Sequence, residues 1–273
     1  MQIKTFFSFK LAVLCVAFFY SQVSLSALNT LDTILKRGVL VVAMTKTDQP
    51  PFYYERQGRL QGFDVDLAQN IASELGVEVK FNRRANSFDE VVSYVVSGKA
   101  DIAISKLSKT LSRSKVVVYT DPYLKLRQAV LINRLNLAKI GDESPRAVKK
   151  VLLELDKAIG VIKDSSYVNY AERFFPKANI MEYETWDRAI ESVFTGNIFM
   201  AYRDELEVKK ILKKYPDAQL SLKTVLFEDT VDNIAMAVSV DNQVFVHWLN
   251  TYLESNYKRP TINELLTRYK DIF

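Results

Sequence analysis

The chain has 273 residues, 48% of them hydrophobic and 25% charged, with 37 basic and 32 acidic side chains for a net charge of +5. That size and apolar content are enough for packed cores, and they exclude a disordered polar chain or a small disulfide-stapled scaffold. The charge is mild and dispersed: Lys149-Lys150, Lys209-Lys210 and Lys213-Lys214 read as solvated helix faces, so no nucleic-acid partner is expected.

Residues 1–26 read as a processing segment. Lys4 and Lys10 form a basic start, Leu11 to Tyr20 an uncharged apolar core, and Ser24-Leu25-Ser26 the small residues of a cleavage site. Cleavage is expected after Ser26, which leaves 35 basic against 32 acidic residues and a net charge of +3. An uncleaved N-terminal anchor is the alternative. Cys15, the sole cysteine, lies inside this segment behind Leu14, so the mature chain is expected to have no thiol chemistry. No later segment has 18 uninterrupted apolar residues, and the mature protein is expected to be exported and soluble.

Strands and helices then alternate. Val39 to Ala43 is a continuous apolar run, the pattern of a strand buried on both faces. Asp64 to Leu75 carries Val65, Leu67, Ala68, Ile71, Ala72 and Leu75 at helical spacing and stops at Gly76. Val77 to Asn82 alternates as a strand, and Ser87-Phe-Asp-Glu90 is a capping box for a helix that ends at Gly98. Asp101 to Ile104 is the next strand. A second block repeats the pattern. Ser144-Pro145 opens a helix through Leu155, Ala158 to Ile162 is a strand, and Ser165-Ser166 open another helix. Asn179 to Tyr183 is a strand, Trp186 to Thr195 a helix closed by Gly196, and Ile198 to Tyr202 a strand running into Asp204. Leu126 to Asn133 and Val231 to Ser239 are long extended runs between the blocks, expected to cross between lobes as a hinge. A helix from Asp241 to about Ser255 and a short one capped by Thr261 and Glu264 close the chain.

The fold class expected is α/β with two lobes, each a mostly parallel sheet flanked by helices and joined by a two-segment hinge. The boundaries expected are 27–126 plus 235–273 for the first lobe and 127–234 for the second. Within the first, Asp101-Ile-Ala-Ile-Ser-Lys-Leu-Ser-Lys-Thr-Leu-Ser-Arg113 ends an apolar run in hydroxyls, amides and an arginine. A guanidinium offers two parallel donors to a carboxylate, and Ser105 and Ser108 add others. The same stretch also reads as a strand followed by a polar turn.

The chain resembles the periplasmic amino-acid-binding proteins of ABC importers, solute-binding protein family 3. Gln61-Gly-Phe-Asp-Val-Asp-Leu-Ala68 matches that family's G-F-D-x-D-L-A segment. Phe88-Asp-Glu-Val-Val, Ser97-Gly-Lys-Ala-Asp-Ile, Ser105 to Arg113, Tyr119-Thr-Asp-Pro-Tyr123, Ile159-Gly-Val-Ile162 and Tyr202-Arg-Asp204 match further elements in order. The resemblance implies a two-lobed periplasmic-binding-protein fold of type II. It also implies a pocket: Arg113 for a ligand α-carboxylate, Ser105 and Ser108 as further contacts, and Phe88 over the aliphatic part. Asp204 would accept the α-ammonium, and Ser165 and Ser166 would present amides across the cleft. Splitting opposite charges over two lobes makes the closed state the bound state.

Each residue has a plainer role available. Arg113 could pair on the surface with Asp101 or Asp121, Asp204 could only cap the Glu205–Lys214 helix, Phe88 could be core, and Ser165 and Ser166 caps. The chain also departs from the family pattern. Gln49 stands where an aromatic ring is common, Lys46 where some members have an acid, Lys106 for a small residue and Asp164 for glycine. Lys46 and Lys106 at the ligand would favour an acidic or polar amino acid; pointing into water, they would not. Lys106 is therefore included among the expected ligand-binding residues. The resemblance further implies a monomer that serves separate membrane permease subunits, with no cofactor, metal or catalysis. Two other readings stay open on this fold. One is an enzyme like cyclohexadienyl dehydratase, with Glu55, Glu172 or Glu205 as general acid. The other is a ligand-binding sensor or accessory subunit. His247 reads as a helix residue rather than a base.

Overall fold

The computed structural model describes residues 30–139, 141–142, 144–154 and 156–272. The expected leader and its cleavage site lie outside the described residues.

The first sheet is built from β1 (Val39–Thr45), β4 (Glu78–Ala85), β5 (Ile102–Ala103), β6 (Val117–Tyr119) and β12 (Ala237–Ser239), in the order β4-β1-β5-β12-β6. β1 runs parallel to β4 and β5, and β12 runs antiparallel to β5 and β6. Four of its five strands therefore point the same way. Between β1 and β4 lie a hairpin, β2 (Tyr54–Arg56) with β3 (Arg59–Gln61), and the helix Phe63–Glu74. The spacing of Val65, Leu67, Ala68, Ile71 and Ala72 puts all five in the core, against β1 and β4.

The second sheet is built from β7 (Leu124–Asn133), β8 (Ala158–Ile162), β9 (Asn179–Tyr183), β10 (Met200–Asp204) and β11 (Leu222–Ile234), in the order β11-β7-β10-β8-β9. β9, β8 and β10 are parallel, and β7 is antiparallel to β10 and β11. Again four strands share a direction. Its core includes Val130, Ile159, Val161, Met200, Tyr202 and Phe227, with Tyr167 and Phe175 edge-on to the Tyr202 ring. Gly160 is closely packed: a Cβ there would lie 2.6 Å from Ile198 Cδ1, so the Ile198 side chain would have to shift.

The helices at 88–96, 166–174 and 262–268 start where their caps predict, with Ser87, Ser165 and Thr261 each accepting from a first-turn amide, and Thr185 does the same for the helix at 186–194. The expected hinge strands differ. Residues 126–133 lie inside the second sheet, and the run Val231 to Ser239 is broken: β11 ends at Ile234 and β12 starts at Ala237. The chain passes between sheets at residues 120–123 and 235–236. These crossings are tied together by Tyr123 N–H to Ile234 O (3.0 Å), Thr120 N–H to Met236 O (3.0 Å) and Met236 N–H to Thr120 Oγ1 (3.1 Å). Alternating hydrophobicity cannot separate a strand from a crossing that is equally buried, so strand and crossing read as one extended run in the sequence.

Candidate functional site

The parallel strands of both sheets end on a shared cleft, the place where open α/β sheets gather loops. After β5 the chain turns through Ile104 to Arg113. Ser105 is fully buried, donates to Tyr53 Oη (2.8 Å) and accepts from Thr45 N–H (3.3 Å). It braces the loop from beneath and does not line the cavity. Lys106 sits in the left-handed region, φ 47°. Its N–H donates to Asp64 Oδ2 at 2.6 Å, and Asp64 also accepts from Tyr123 Oη at 3.0 Å. The Gly62-Phe63-Asp64 motif thus clamps the loop that forms the site. Burial pushes the Asp64 carboxyl up to about 7, against these hydrogen bonds.

The Lys106 ammonium crosses the cleft. It donates to Asp204 Oδ2 at 2.7 Å and Glu207 Oε1 at 2.9 Å, lies over the Phe52 ring, and all three charged side chains are nearly inaccessible to solvent. Asp204 ends β10 and caps the next helix, its Oδ1 accepting from Glu207 N–H at 3.2 Å. Burial opposes ionisation of Glu207, but Lys106 and Lys210 outweigh it and hold that carboxyl well below its ordinary range. Lys106 therefore faces Asp204 rather than water, while Lys46 is exposed.

A second crossing runs through hydroxyls. Ser166 Oγ donates to Ser108 Oγ (2.8 Å), and Ser108 Oγ donates to Asp232 Oδ2 (2.9 Å). Burial pushes Asp232 up to about 6, with Asp204 adding repulsion and the Ser108 hydroxyl opposing both. Arg113 is buried. Its Nε donates to Asp89 Oδ1 at 2.7 Å and its Nη1 to Ser108 O at 3.2 Å. The pairing with Asp101 or Asp121 does not form: Asp101 binds Arg37, and the partner is Asp89, whose side chain is 59% exposed. Ser165 is the cap of its helix, accepting from Tyr167 N–H and donating to Ile162 O at 2.6 Å. Phe88 is half-buried against the first core.

Phe88, Lys106, Ser108, Arg113, Ser165, Ser166 and Asp204 line one cavity of about 20 Å³, room for roughly one water. Sequence reasoning missed three of its walls: Tyr167, Arg203 and Asp232. Arg203 is buried, donates to Gln49 Oε1 across the cleft (3.2 Å) and lies over the Trp186 ring. The charged pair Arg203-Asp204 ending an apolar strand, and Asp232 alone in an extended run, were the available signals. The Tyr167 hydroxyl is buried beside Asp232 without a hydrogen bond of good geometry among the described residues. On the far side of Arg203 the cleft widens to a cavity of about 450 Å³ bounded by Gln49, Pro50, Trp186, Glu207 and Lys210.

Of the carboxylates considered as general acids, Glu55 and Glu172 are exposed. Glu205 pairs with Arg127 and Lys209, which outweigh its burial and lower its pKa, the wrong direction for an acid at neutral pH. His247 is exposed on the Gln243–Ser255 helix. Among the described residues no group of three or more His, Cys, Asp or Glu could hold a metal ion.

A family model described as bacterial extracellular solute-binding proteins, family 3, matches residues 40–271. The chain is 24% identical over 217 residues to an arginine-binding periplasmic protein of Mannheimia haemolytica, covering 78% of this chain and 84% of that one. It is 26% identical over 249 residues to a membrane-bound lytic murein transglycosylase F of Pseudomonas putida; the match covers 88% of this chain and 48% of the relative, so it spans about half of that protein. A crystal structure of an ancestral amino-acid-binding protein, a precursor of cyclohexadienyl dehydratase, superposes with TM-score 0.70 at 28% identity, over 88% of this chain and 99% of that one.

Proposed function

Since the chain belongs to the bacterial extracellular solute-binding proteins, family 3, we propose that it captures an amino acid or a closely related small carboxylate between its lobes and delivers it to a separate ABC-type membrane permease. The observation that carries this reading is Arg113. It is a buried guanidinium at the cleft, beside three hydroxyls, whose acidic partner is an exposed side chain. A ligand carboxylate can replace Asp89, because the displaced carboxylate already faces solvent and the buried guanidinium stays compensated, while gaining a bidentate contact. The lining holds Lys106, Arg113 and Arg203 against Asp204 and Asp232, which favours an acidic or polar ligand over a cationic one. Closure would bend the chain at residues 120–123 and 235–236, between a lobe built on residues 30–119 with 237–272 and a lobe built on 124–234. The protein would be a periplasmic monomer released from its leader after Ser26. No helix among the described residues is long and apolar enough to cross a membrane.

Thermal-shift measurements on the mature protein against amino acids, dicarboxylates, opines and prephenate test the reading. A ligand at 100 times its dissociation constant adds about 2.7 kcal/mol, and a panel without any shift removes the proposal. One observation favours a second reading, an enzyme like cyclohexadienyl dehydratase. Asp232, its carboxyl pushed up to about 6, lines the cavity and has the proton affinity of a general acid. Turnover of prephenate or arogenate would establish it.

A further inference from the structure

An α-amino acid presents two charges to its pocket, and each needs a counter-charge once water is excluded. In this cleft the counter-charge for the ammonium is already used by the protein. Lys106 Nζ takes Asp204 Oδ2 and Glu207 Oε1. Asp204 Oδ1 takes the Glu207 amide, and Glu207 Oε2 takes Lys210 Nζ at 3.0 Å. Both carboxylates are thereby engaged at both oxygens. The lysine is held at this place from its own backbone, since its left-handed φ is fixed by the Asp64 clamp. The third N–H of the ammonium has no partner in these contacts and can donate to an uncharged oxygen. A ligand ammonium would meet Lys106 and Arg203 as like charges. Its one remaining acid is Asp232, which is tied to the hydroxyls of Ser108 and Tyr170.

Resting on the binding-protein reading above, we infer that Lys106 supplies from within the protein the cation that an α-amino acid would bring, so the site takes a small carboxylate whose α-carbon bears a hydroxyl or oxo group instead of an ammonium. Arg113 holds the carboxylate. Lys106 donates to the α-oxygen and stays paired with Asp204 and Glu207. Lys106 is the specificity-determining residue.

Calorimetry with matched sets that differ only at the α-carbon tests this: lactate, pyruvate and alanine; malate, oxaloacetate and aspartate; 2-hydroxyglutarate, 2-oxoglutarate and glutamate. In at least one set the wild-type protein binds the hydroxy or oxo acid more tightly than the amino acid, by on the order of 100-fold for a mispaired buried charge. Lys106→Ser frees Asp204 and Glu207, and moves the preference toward the amino acid by tenfold or more. Wild-type binding of any amino acid as tightly as its hydroxy or oxo partner overturns the inference, whatever the variant does. So does tight binding of an amino acid outside the sets, such as arginine or glutamine, which would leave the binding-protein reading standing. Absence of binding by all three sets also overturns it, and the wider thermal-shift panel then decides whether the binding-protein reading fails with it.

Discussion

Asp64 carries the largest pH effect that can be worked from this structure. Its side chain is fully buried, receives the Lys106 amide and the Tyr123 hydroxyl, and titrates at about 7 instead of 3.8 because burial disfavours the carboxylate. The folded state therefore holds this proton more tightly than the unfolded chain between about pH 4 and 7. Stability from this group is present below pH 4 and is lost as the pH rises through 7. The shift of about three units corresponds to roughly 4 kcal/mol. Asp64→Asn keeps both contacts, since its carbonyl accepts the Lys106 amide and its amide donates to Tyr123 Oη, and it has nothing to ionise. Urea unfolding followed by Trp186 and Trp248 fluorescence at pH 4, 6 and 8 isolates the term, because other titrating groups such as Asp232 cancel between variant and wild type. The variant should be near wild type at pH 4 and more stable by an amount on the order of 4 kcal/mol at pH 8. Parallel pH curves for the two proteins would refute the argument, and with it the buried-acid account of the clamp.

Arg113→Ala should weaken ligand binding by about 2–5 kcal/mol, because a buried carboxylate loses its guanidinium; calorimetry with whichever ligand the thermal-shift panel finds measures it, and unchanged affinity removes Arg113 from the site. Asp204→Ala should lower the unfolding free energy by roughly 1–3 kcal/mol, since it removes a helix cap and one of the two buried acceptors of Lys106, which keeps Glu207; urea unfolding that leaves the variant as stable as wild type would show that the Lys106–Asp204 contact and the cap contribute nothing. Gly62→Ala should be among the most damaging single changes, on the order of 3 kcal/mol or more. The residue has φ 130°, and a Cβ would sit 2.5 Å from the Phe52 carbonyl oxygen; a variant that melts with wild type would show that the Gly62 turn is not strained.

The fold was legible because its signals are local. Ser87, Ser165 and Thr261 announce their helices within three residues, and the apolar run of β1 needs no knowledge of its partners. The hairpin β2–β3 and the front half of β11 went unread, being short or half-exposed and therefore without a clean period. The site divides along the same line. Arg113, Ser108, Ser166 and Asp204 could be named because the resemblance fixes them by spacing along one chain. What Lys106 does could not be named, because its two acceptors lie 98 and 101 residues away and meet it only when the second sheet faces the first. Asp89 shows the converse. It stood in the sequence as a plain first-turn acid, yet its exposed carboxylate holds the buried Arg113 guanidinium. A lysine where the family pattern has a small residue could mean a blocked pocket, a solvent-facing substitution or a changed ligand, and spacing alone weighs these equally. Geometry excludes the solvent-facing one: the ammonium is buried and paired twice on the opposite lobe, with Ser108, Ser166 and Arg113 lining the same cavity. On the inference drawn above, that arrangement would keep the carboxylate half of amino-acid recognition and replace the ammonium half with a residue of the protein itself.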